Sequence, residues 1–362
     1  MKIITMLLFS TLGSDSNEEK RICELCSGFS YELFKFDRRY KLRMFFTLVR
    51  MIRTVRPRVV VMEGTGLAGG IALILSRWLY RTKYVVSSGD AVGPWVGAHY
   101  RLLEPLFTWY EKRLFANASG VIGWTPYIVG RALTFGTPRG VTAAGWAPFP
   151  MSENGRASSR QRIRKRLKIP DGAIVIGIAG SLAWSTRHKF CYGWDIVEAV
   201  SSLARRDVYA LIVGDGTGKE KLVELARGKG CDRVIFAGKV TQSEVAEYLC
   251  AMDIGSLPQT VDAVGSFRYT TKISEYVNCR LPMVTSQIPM SYDLDDGWIW
   301  RIPGNSPWSA RSRKALKAFL EGVSVNEVAV KKSFIPEYCA PFDLQAQRRR
   351  VTAFLEDVLD CE

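Results

Sequence analysis

Three glycine-bearing segments each follow a run rich in Val and Ile in the second half of the chain. They are Gly180-Ser181-Leu182, the stretch from Gly214 to Gly218, and Gly238-Lys239-Val240. Glycines at the carboxyl ends of parallel strands let backbone N–H groups approach a phosphate. In an open α/β sheet, these strand ends line the ligand crevice. One such loop has little specificity, whereas three in succession indicate a site for a phosphorylated ligand.

Lys272 and Glu275 stand three residues apart in the segment Lys272-Ile-Ser-Glu275-Tyr276. On a helix this spacing puts both side chains on one face. A carboxylate can accept hydrogen bonds from both hydroxyls of a vicinal diol, and an ammonium group can pair with a diphosphate. By spacing alone, however, the pair is more simply a surface Lys–Glu contact, which stabilises a helix by only about 0.2–0.5 kcal/mol.

A further glycine pattern, Gly64-Thr-Gly66-Leu-Ala-Gly69, follows an apolar run and is followed in turn by Asp90. A strand, three spaced glycines and a later acidic residue are typical of dinucleotide-binding folds. Here the pattern follows the second apolar run of its half rather than the first, and Asp90 lies beyond the usual spacing of about 20 residues. We therefore interpret these glycines as allowing a tight turn and close packing of a helix on a sheet.

The eight cysteines and two histidines do not form a metal-binding pattern. Only Cys23 and Cys26 make a CxxC pair, and this pair has neither a second pair nor nearby histidines. We therefore expect free thiols and no zinc site. A lone histidine is more often structural than catalytic, which applies to His99 and to His188. The sequence contains no recognisable Ser/His/Asp set or Walker motif.

Apolar runs of strand length alternate with helical stretches along the 362 residues, which predicts an α/β protein with parallel sheets. The length fits two domains. Segment 146–160 is rich in Pro, Ser, Gly and Asn, so we predict a linker there and a domain boundary near residue 150. Helices are predicted over Tyr40 to Val55 and over Asp343 to Leu359, the latter capped by Asp343. The predicted strands are Lys2–Leu8, Arg58–Met62, Lys83–Ser87, Gly120–Ile122, Ala173–Ile178, Tyr209–Val213, Arg233–Phe236, Ile254–Leu257 and Pro282–Val284.

The segment from Ile174 to Val284 resembles the donor domain of retaining glycosyltransferases of the GT4 family. The similarity rests on four stretches in the family's order and spacing, namely IVIGIAGSLAW, YALIVGDGTGKEKLVELA, VIFAGKVTQSEVAEYLCAMDIGSLPQ and YTTKISEYVNCRLPMVTS. It is weaker in the N-terminal half, where only the order of the strands is similar. The resemblance implies a GT-B fold, in which two Rossmann-like domains face a cleft.

In such a fold, residues 1–149 would form the acceptor-binding domain and residues 170–335 the domain that binds the nucleotide-sugar donor. Residues 150–169 would form a linker and a basic entry helix. Residues 336–362 would form a C-terminal helix that crosses back to the N-terminal domain.

By matching position, the resemblance assigns Glu275 to the ribose hydroxyls of the donor and Lys272 to its diphosphate. The segment Gly238 to Val240 would frame the base, and backbone amides near Ser181 would bind phosphate. The implied donor-binding residues are Gly180, Ser181, Arg187, Lys189, Gly214, Gly216, Gly238, Lys239, Val240, Lys272 and Glu275.

The chain departs from the family's pattern at three places. Phe267 stands where many members have an acidic residue, and Tyr192 replaces a usual lysine. We expect the loop residues Arg187, His188 or Lys189 to supply the missing cation. The family's N-domain histidine is replaced in Ser87-Ser88-Gly89-Asp90, which makes Asp90 the candidate group facing the sugar. The predicted catalytic residues are Asp90, Glu275 and Lys272, and the predicted acceptor-side residues are Gly13 and His99.

The expected activity is transfer of a hexose from a UDP- or GDP-linked sugar, with retention of configuration and without a metal or other cofactor. The acceptor is expected to be a lipid-linked saccharide or a lipid, in the synthesis of cell-surface polysaccharide or glycolipid. Three alternatives share the fold: a DNA-modifying glycosyltransferase, a sugar-nucleotide epimerase, and a non-catalytic protein that binds nucleotide sugars.

The net charge of +15, from 50 basic and 35 acidic residues, predicts an anionic partner. Residues 38–58 hold eight basic residues and no acidic one, interleaved with Tyr40, Phe45 and Phe46. Such a segment is typical of a helix on an anionic membrane surface, with a nucleic-acid surface or an ordinary solvated helix face as alternatives. No apolar run reaches about 18 residues. We therefore expect a cytoplasmic protein bound peripherally to the inner face of the cell membrane.

Overall fold

The computed structural model describes residues 6–360, which form two compact units. The first unit comprises residues 6–145, Phe267–Tyr269 and residues 340–360, and the second comprises Trp146–Ser266 and residues 270–339. The start of the predicted strand Lys2–Leu8 lies outside the described residues. Each unit is built on a parallel sheet with helical connections, so the predicted α/β class is confirmed.

Six parallel strands form the sheet of the first unit: β1 (Met6–Ser10), β2 (Tyr31–Leu33), β3 (Val59–Glu63), β4 (Tyr84–Ser88), β5 (Gly120–Gly123) and β6 (Gly140–Thr142). Their spatial order is β2-β1-β3-β4-β5-β6, so the order reverses between β1 and β3. Every residue of β1, β3 and β4 is buried, as in parallel sheets that are covered on both faces. The helices are α1 (Asn17–Leu25), α2 (Lys41–Val55), α3 (Leu67–Tyr80), α4 (Val92–His99), α5 (Glu104–Ala116) and α6 (Pro126–Thr134).

The second unit also has six parallel strands: β7 (Ile174–Ala179), β8 (Val208–Val213), β9 (Val234–Gly238), β10 (Ile254–Leu257), β11 (Met283–Ser286) and β12 (Ile299–Ile302). Their order, β12-β11-β10-β7-β8-β9, is that of a Rossmann sheet, with the reversal between β7 and β10. The helices are α7 (Glu153–Arg166), α8 (Trp194–Val200), α9 (Lys219–Gly228), α10 (Gln242–Cys250), α11 (Lys272–Asn278), α12 (Met290–Asp293), α13 (Ala310–Gly322) and α14 (Val325–Ser333).

Helix α15 (Leu344–Asp360) belongs to the first unit, where it packs against α1 and β6. Asp343 caps the helix as predicted, because its Oδ1 accepts a hydrogen bond from the N–H of Ala346 at 2.6 Å. The fully buried Gln347 accepts from the Gly145 N–H at 2.8 Å and donates to the Gly145 carbonyl at 2.7 Å. This side chain therefore ties the C-terminal helix to the segment that follows β6.

Helix α7 begins inside segment 146–160, where the composition predicted a linker, and lies within residues 150–169, where the resemblance implied a linker and a basic entry helix. Its first turn is capped by Ser152, whose Oγ accepts from the Gly155 N–H at 3.1 Å. Two of its basic residues pair with Asp253, namely Arg160 at 2.6 Å and Arg164. Polar contacts rather than an apolar stripe stabilise this helix, so hydrophobic periodicity did not reveal it.

Candidate functional site

The strand order of the second unit locates a ligand crevice between the carboxyl ends of β7 and β10. In open α/β sheets, ligands bind where the strand order reverses, outside the carboxyl ends of the strands. Strand β7 ends at Ala179 and is followed directly by Gly180, the first of the three predicted glycine loops. The predicted phosphate-binding segment thus lies at the reversal point of its sheet.

The first two glycine loops are hydrogen-bonded to each other. The Leu182 N–H donates to the Asp215 carbonyl at 3.0 Å, and the Gly218 N–H donates to the Leu182 carbonyl at 2.8 Å. A side-chain carbon built at Gly214 would lie 1.9 Å from the Gly180 carbonyl oxygen, and one at Gly216 would lie 2.6 Å from the Leu182 carbonyl carbon. Any larger residue at Gly214 or Gly216 would therefore separate the two loops.

Ser181 is exposed between Gly180, whose N–H donates to the Val213 carbonyl at 2.9 Å, and Leu182. Within residues 6–360, its backbone N–H has no hydrogen-bond partner. An exposed N–H on a loop held rigidly on both sides is suited to bind a phosphate oxygen.

The third glycine loop joins the second through the Gly214 N–H, which donates to the Gly238 carbonyl at 2.8 Å. Gly238 has a φ of +73°, a conformation that favours glycine. Lys239 is exposed and Val240 is half-buried. Helix α10 begins shortly afterwards with a capping box, in which the Thr241 N–H donates to the Glu244 carboxylate at 2.9 Å. The three loops thus form one connected edge of the sheet.

Lys272 reaches the first glycine loop. A side-chain carbon built at Gly180 would lie 3.1 Å from Lys272 Nζ, so the ammonium group lies against the loop backbone. The same Nζ lies 4.8 Å from the centre of the Tyr192 ring, which is within cation–π range. The ring of Tyr192, at which the resemblance predicted a departure from the family's lysine, therefore lies beside Lys272.

Glu275 lines a small pocket in the second unit together with residues from α10 and from the chain before α7. Its carboxylate has no hydrogen-bond partner among the residues that the structure describes. Burial raises the pKa of this carboxyl, and the nearby Lys272 ammonium acts to lower it. The pocket is lined by Ala147, Pro148, Phe149, Gln242, Val245, Ala246, Glu275 and Asn278.

Several residues that position α11 escaped the sequence analysis. The Tyr276 hydroxyl donates to the Ser256 carbonyl at 2.7 Å, and its ring fills the space that a side chain at Gly255 would need. Asn278 accepts from the Met151 N–H at 3.0 Å and donates to the Phe149 carbonyl at 2.8 Å. The glycine inside β10 was the available signal for the first contact, because such a glycine often marks a close approach.

The loop with the other predicted cations lies between β7 and α8. His188 stacks on Trp308 with ring centres 4.0 Å apart. Arg187 and Lys189 are exposed, and Lys189 has a left-handed backbone with φ +48°. A role for Arg187 or Lys189 in binding phosphate stays a prediction.

In the first unit, Asp90 follows β4 and forms an ion pair with Arg268. The Arg268 Nε donates to Asp90 Oδ1 at 2.8 Å. This arginine directly follows Phe267, the residue at the family's acidic position. The assignment of Asp90 to the sugar stays a prediction.

The two predicted acceptor-side residues lie in different parts of the first unit. Gly13 has a φ of +108°, and a side-chain carbon built there would lie 3.4 Å from Arg38 Cδ. His99 ends α4, where its Nδ1 lies 2.9 Å from the Trp95 carbonyl. The structure therefore places Gly13 at the carboxyl edge of β1 and His99 at an exposed helix end.

The glycines of the Gly64 to Gly69 segment permit close packing, as the sequence analysis predicted. Side-chain carbons built at Gly64, Gly66 and Gly69 would lie 2.5–2.8 Å from atoms of Thr11. The loop after β3 is thus pressed against the residue that follows β1. At the same edge of the sheet lies a buried ion pair that the sequence did not reveal, between Arg21 Nη1 and Glu63 Oε2 at 3.0 Å.

Cys26 is buried at the end of α1, and burial raises the pKa of its thiol. Within residues 6–360, no three His, Cys, Asp or Glu side chains are grouped as metal ligands. In the same range, no helix combines the length and apolarity needed to cross a bilayer.

The chain matches two family models, "Glycosyl transferases group 1" over residues 173–308 and "Glycosyl transferase 4-like domain" over residues 27–144. A comparison with curated protein sequences gave no match.

Three solved structures have a similar fold. HepE from Anabaena in complex with UDP is 15% identical with a TM-score of 0.70, covering 98% of this chain and 100% of that chain. WaaG, a glycosyltransferase involved in lipopolysaccharide biosynthesis, is 14% identical with a TM-score of 0.66 and the same coverage. A glycosyltransferase from Rickettsia africae is 11% identical with a TM-score of 0.64 and covers all of both chains.

Proposed function

Because the chain is a GT4-like glycosyltransferase with the two-sheet architecture of GT-B enzymes, we propose that it transfers a hexose from a nucleoside diphosphate sugar with retention of configuration. The observation that carries the proposal is the arrangement at one sheet edge of the second unit. There, hydrogen-bonded glycine loops, the Lys272 ammonium group and a helix bearing the unpartnered Glu275 carboxylate come together. Together they supply groups suited to a diphosphate and a ribose.

In this proposal the second unit binds the donor. The Ser181 N–H and Lys272 bind the diphosphate and stabilise its negative charge as the bond to the anomeric carbon breaks. Glu275 accepts hydrogen bonds from the ribose hydroxyls, and the segment Gly238 to Val240 frames the base. The acceptor oxygen then bonds to the anomeric carbon, with release of the nucleoside diphosphate and a proton.

UDP-glucose is the donor to test first. HepE, whose fold is similar, was solved in complex with UDP and in complex with UDP-glucose. Lys239 and Val240 would contact the base, and a GDP-linked sugar is the second donor to test.

The first unit would bind the acceptor, which we infer to be a lipid-linked saccharide or a lipid at the cytoplasmic face of the membrane. Helix α2 supports this inference, because Leu42 and Phe46 stay exposed on the same helix as Arg43 and Arg50. An apolar and basic surface of this kind suits an anionic lipid interface. Gly13 and His99 are the proposed acceptor-side residues, and Asp90 is the proposed catalytic group facing the sugar.

A thermal-shift screen of UDP-, GDP- and ADP-linked sugars tests the donor proposal, since a ligand at 100 times its Kd adds about 2.7 kcal/mol of stability. The expected result is stabilisation by one class of donor, with nucleotide released only when an acceptor is added. Interconversion of sugar nucleotides without an acceptor would instead identify an epimerase. Binding without any turnover would identify a non-catalytic protein, and transfer to DNA a DNA-modifying enzyme.

A further inference from the structure

A long apolar groove runs between α3 and α5 in the first unit, with a volume of about 680 Å³. It extends along α3 from Leu67 to Trp78, a length of about 16 Å at the helical rise of 1.5 Å per residue. Among the described lining residues Arg113 alone is charged, and it lies one helical turn before Asn117, which Trp78 contacts. The lining residues are Leu67, Ile71, Ile74, Leu75, Trp78, Leu106, Phe107, Trp109, Tyr110 and Arg113.

The walls of this groove are exposed to an extent that is unusual for large apolar side chains. Trp78 is 68% exposed, Leu106 58% and Trp109 57%. Contiguous apolar surface of this kind marks a binding site more often than chance exposure. The α3–α5 groove is therefore a candidate site outside the donor-binding sheet edge.

Two polar groups in the groove walls are already hydrogen-bonded, and the Arg113 guanidinium lies 5.6 Å from the centre of the Trp109 ring. The Tyr110 hydroxyl donates to the carbonyls of Thr65 and Gly66 at 3.1 and 3.2 Å. Trp78 Nε1 donates to Asn117 Oδ1 at 3.1 Å. Nine of the ten lining side chains are uncharged and largely apolar, so the groove presents mainly hydrocarbon surface to its occupant, which fits an alkyl or isoprenoid chain rather than a sugar or a nucleotide.

One end of the groove meets the carboxyl edge of the sheet in the same unit. Leu67 directly follows Gly66, whose N–H donates to Thr11 Oγ1 at 3.1 Å. The Thr11 loop also contains Gly13, which lies against the exposed Arg38. Apolar surface and a cation therefore follow one another across the point where the strand order reverses between β1 and β3.

We propose that the α3–α5 groove holds the hydrocarbon chain of the acceptor lipid, with the anionic head group of that lipid beside Arg38. This inference rests on the proposed function and specifies its acceptor as a single-chain or polyprenyl-type amphiphile with a phosphate near the head. The hydrocarbon chain of this lipid leaves the sheet edge at Leu67 and runs along α3 toward Trp78. Arg113 marks the far end of this path.

The test measures binding of lauroyl-lysophosphatidylglycerol, below its micelle concentration, to the full chain by calorimetry. The substitution Ile71→Trp fills the groove without adding charge, and Leu106→Glu places a carboxylate in its wall. Each should weaken binding at least about tenfold, a loss of about 1.4 kcal/mol. The matched variants Leu42→Trp and Leu42→Glu, on the exposed surface of α2, should bind like the wild type.

Arg38→Ala should weaken binding of the lysophospholipid and leave binding of decyl maltoside, which has an uncharged head, unchanged. The Ile71→Trp protein should still adsorb to phosphatidylglycerol vesicles. The α3–α5 groove is proposed to bind the acceptor, whereas the bilayer is proposed to contact α2. Equal losses in the α2 and groove variants would contradict the proposal, as would an Ile71→Trp protein that still binds the lysophospholipid or no longer adsorbs to vesicles.

The donor screen separates this inference from the proposed function. The groove variants should keep the thermal shift with UDP-glucose, because the donor residues lie in the other unit. Donor binding without lysophospholipid binding would refute the groove alone. Lysophospholipid binding without any nucleotide-sugar binding would refute the proposed transferase. It would also refute the assignment of the bound hydrocarbon chain to an acceptor lipid.

Discussion

Glu275 keeps its carboxylate half-buried although none of the described residues donates a hydrogen bond to it. Burial disfavours an ionised carboxylate, which is why it raises the pKa of this group. Two donor hydroxyls from a ligand would satisfy the carboxylate and offset that cost. At the scale of single residues, the unpartnered carboxylate therefore supports the proposal that Glu275 binds the ribose of the donor.

Glu275→Ala should lower the affinity for the preferred nucleotide sugar about 10- to 100-fold, because a charged hydrogen-bond acceptor is lost. The stability of the unliganded protein should not fall, since the carboxylate has no partner within the described chain to leave behind. Calorimetry and thermal unfolding check the two parts. Glu224→Ala, on the exposed surface of α9, is the matched control. Unchanged nucleotide affinity in Glu275→Ala would remove this residue from the site.

Asp195 predicts a pH dependence of stability. The carboxyl is buried and its Oδ1 has no hydrogen-bond partner among the described residues, and burial raises its pKa from 3.8 to about 7. The native state therefore retains a proton that the unfolded chain has released. The free energy of unfolding should fall as pH rises from about 4 to about 7, by at most about 4 kcal/mol.

Asp195→Asn should remove that part of the pH dependence, so the variant should be more stable than the wild type at pH 8 and similar to it near pH 4. Urea unfolding across this pH range is the measurement. The exposed Asp232 provides the control, because Asp232→Asn should leave the wild-type slope intact. If the wild type became more stable from pH 4 to pH 7 and Asp195→Asn removed that gain, burial would not be what shifts the pKa of this carboxyl.

At the scale of elements, the glycine loops act as one unit because each loop fills the space beside the next. Gly214 has a φ of +135°, and a side-chain carbon there would collide with the Gly180 carbonyl at 1.9 Å. Strain of this kind cannot be relieved by a flexible side chain, since the obstacle is backbone. The geometry of the proposed phosphate site therefore depends on residues without a side chain.

Gly214→Ala should lower the free energy of unfolding by about 3 kcal/mol and abolish measurable donor binding. Gly228→Ala is the control at the end of α9, where a side-chain carbon meets nothing within 4 Å. That change should stabilise the protein by about 0.5–1 kcal/mol and leave donor affinity unaltered. Equal stability of the two variants would show that the loops tolerate separation.

The elements that the sequence predicted well are the buried strands, because parallel strands covered on both faces form continuous apolar runs. The runs at β3, β4, β7, β8 and β10 could be located to within one or two residues. The edge strands β2 and β6 have three residues each and stay partly exposed, so they carry no such run. Strand β12 includes Arg301, and that arginine pairs with Asp295 at 2.6 Å, a contact that no local pattern shows.

In the candidate site, too, some residues could be predicted from the sequence and others depend on contacts between distant residues. Lys272 and Glu275 were assigned to the candidate site through the resemblance to GT4 donor domains, and the glycine loops because glycine follows three apolar runs. Phe149 and Asn278 could not be found, because their contact joins residues 129 positions apart. The ion pair of Arg268 with Asp90 joins residues 178 positions apart, and so it too depends on the fold.

At the scale of the whole molecule, the charge of +15 is not spread evenly, since residues 38–58 contain eight basic residues and no acidic one. Helix α2 has one face packed against the core of the first unit and another face exposed to solvent. Leu48 and Ile52 pack into the core of the first unit, while Leu42 and Phe46 remain exposed. Arg39 pairs with Asp37, whereas Arg43, Arg50 and Arg53 are exposed. The helix therefore has both a structural face and a basic face with apolar side chains.

If the basic face of α2 contacts anionic lipid, the protein should co-sediment with phosphatidylglycerol vesicles and not with phosphatidylcholine vesicles, and added salt should weaken binding. Each basic residue near such a surface contributes about 1 kcal/mol, so the triple substitution Arg43→Glu, Arg50→Glu and Arg53→Glu should lower vesicle affinity on the order of 100-fold. The control reverses the same number of charges at the exposed Arg227, Arg311 and Lys314 of the second unit, which gives an equal net charge and should preserve binding. Equal losses in both variants would assign the effect to net charge alone, and retention on DNA with a steep salt dependence would favour a nucleic-acid partner.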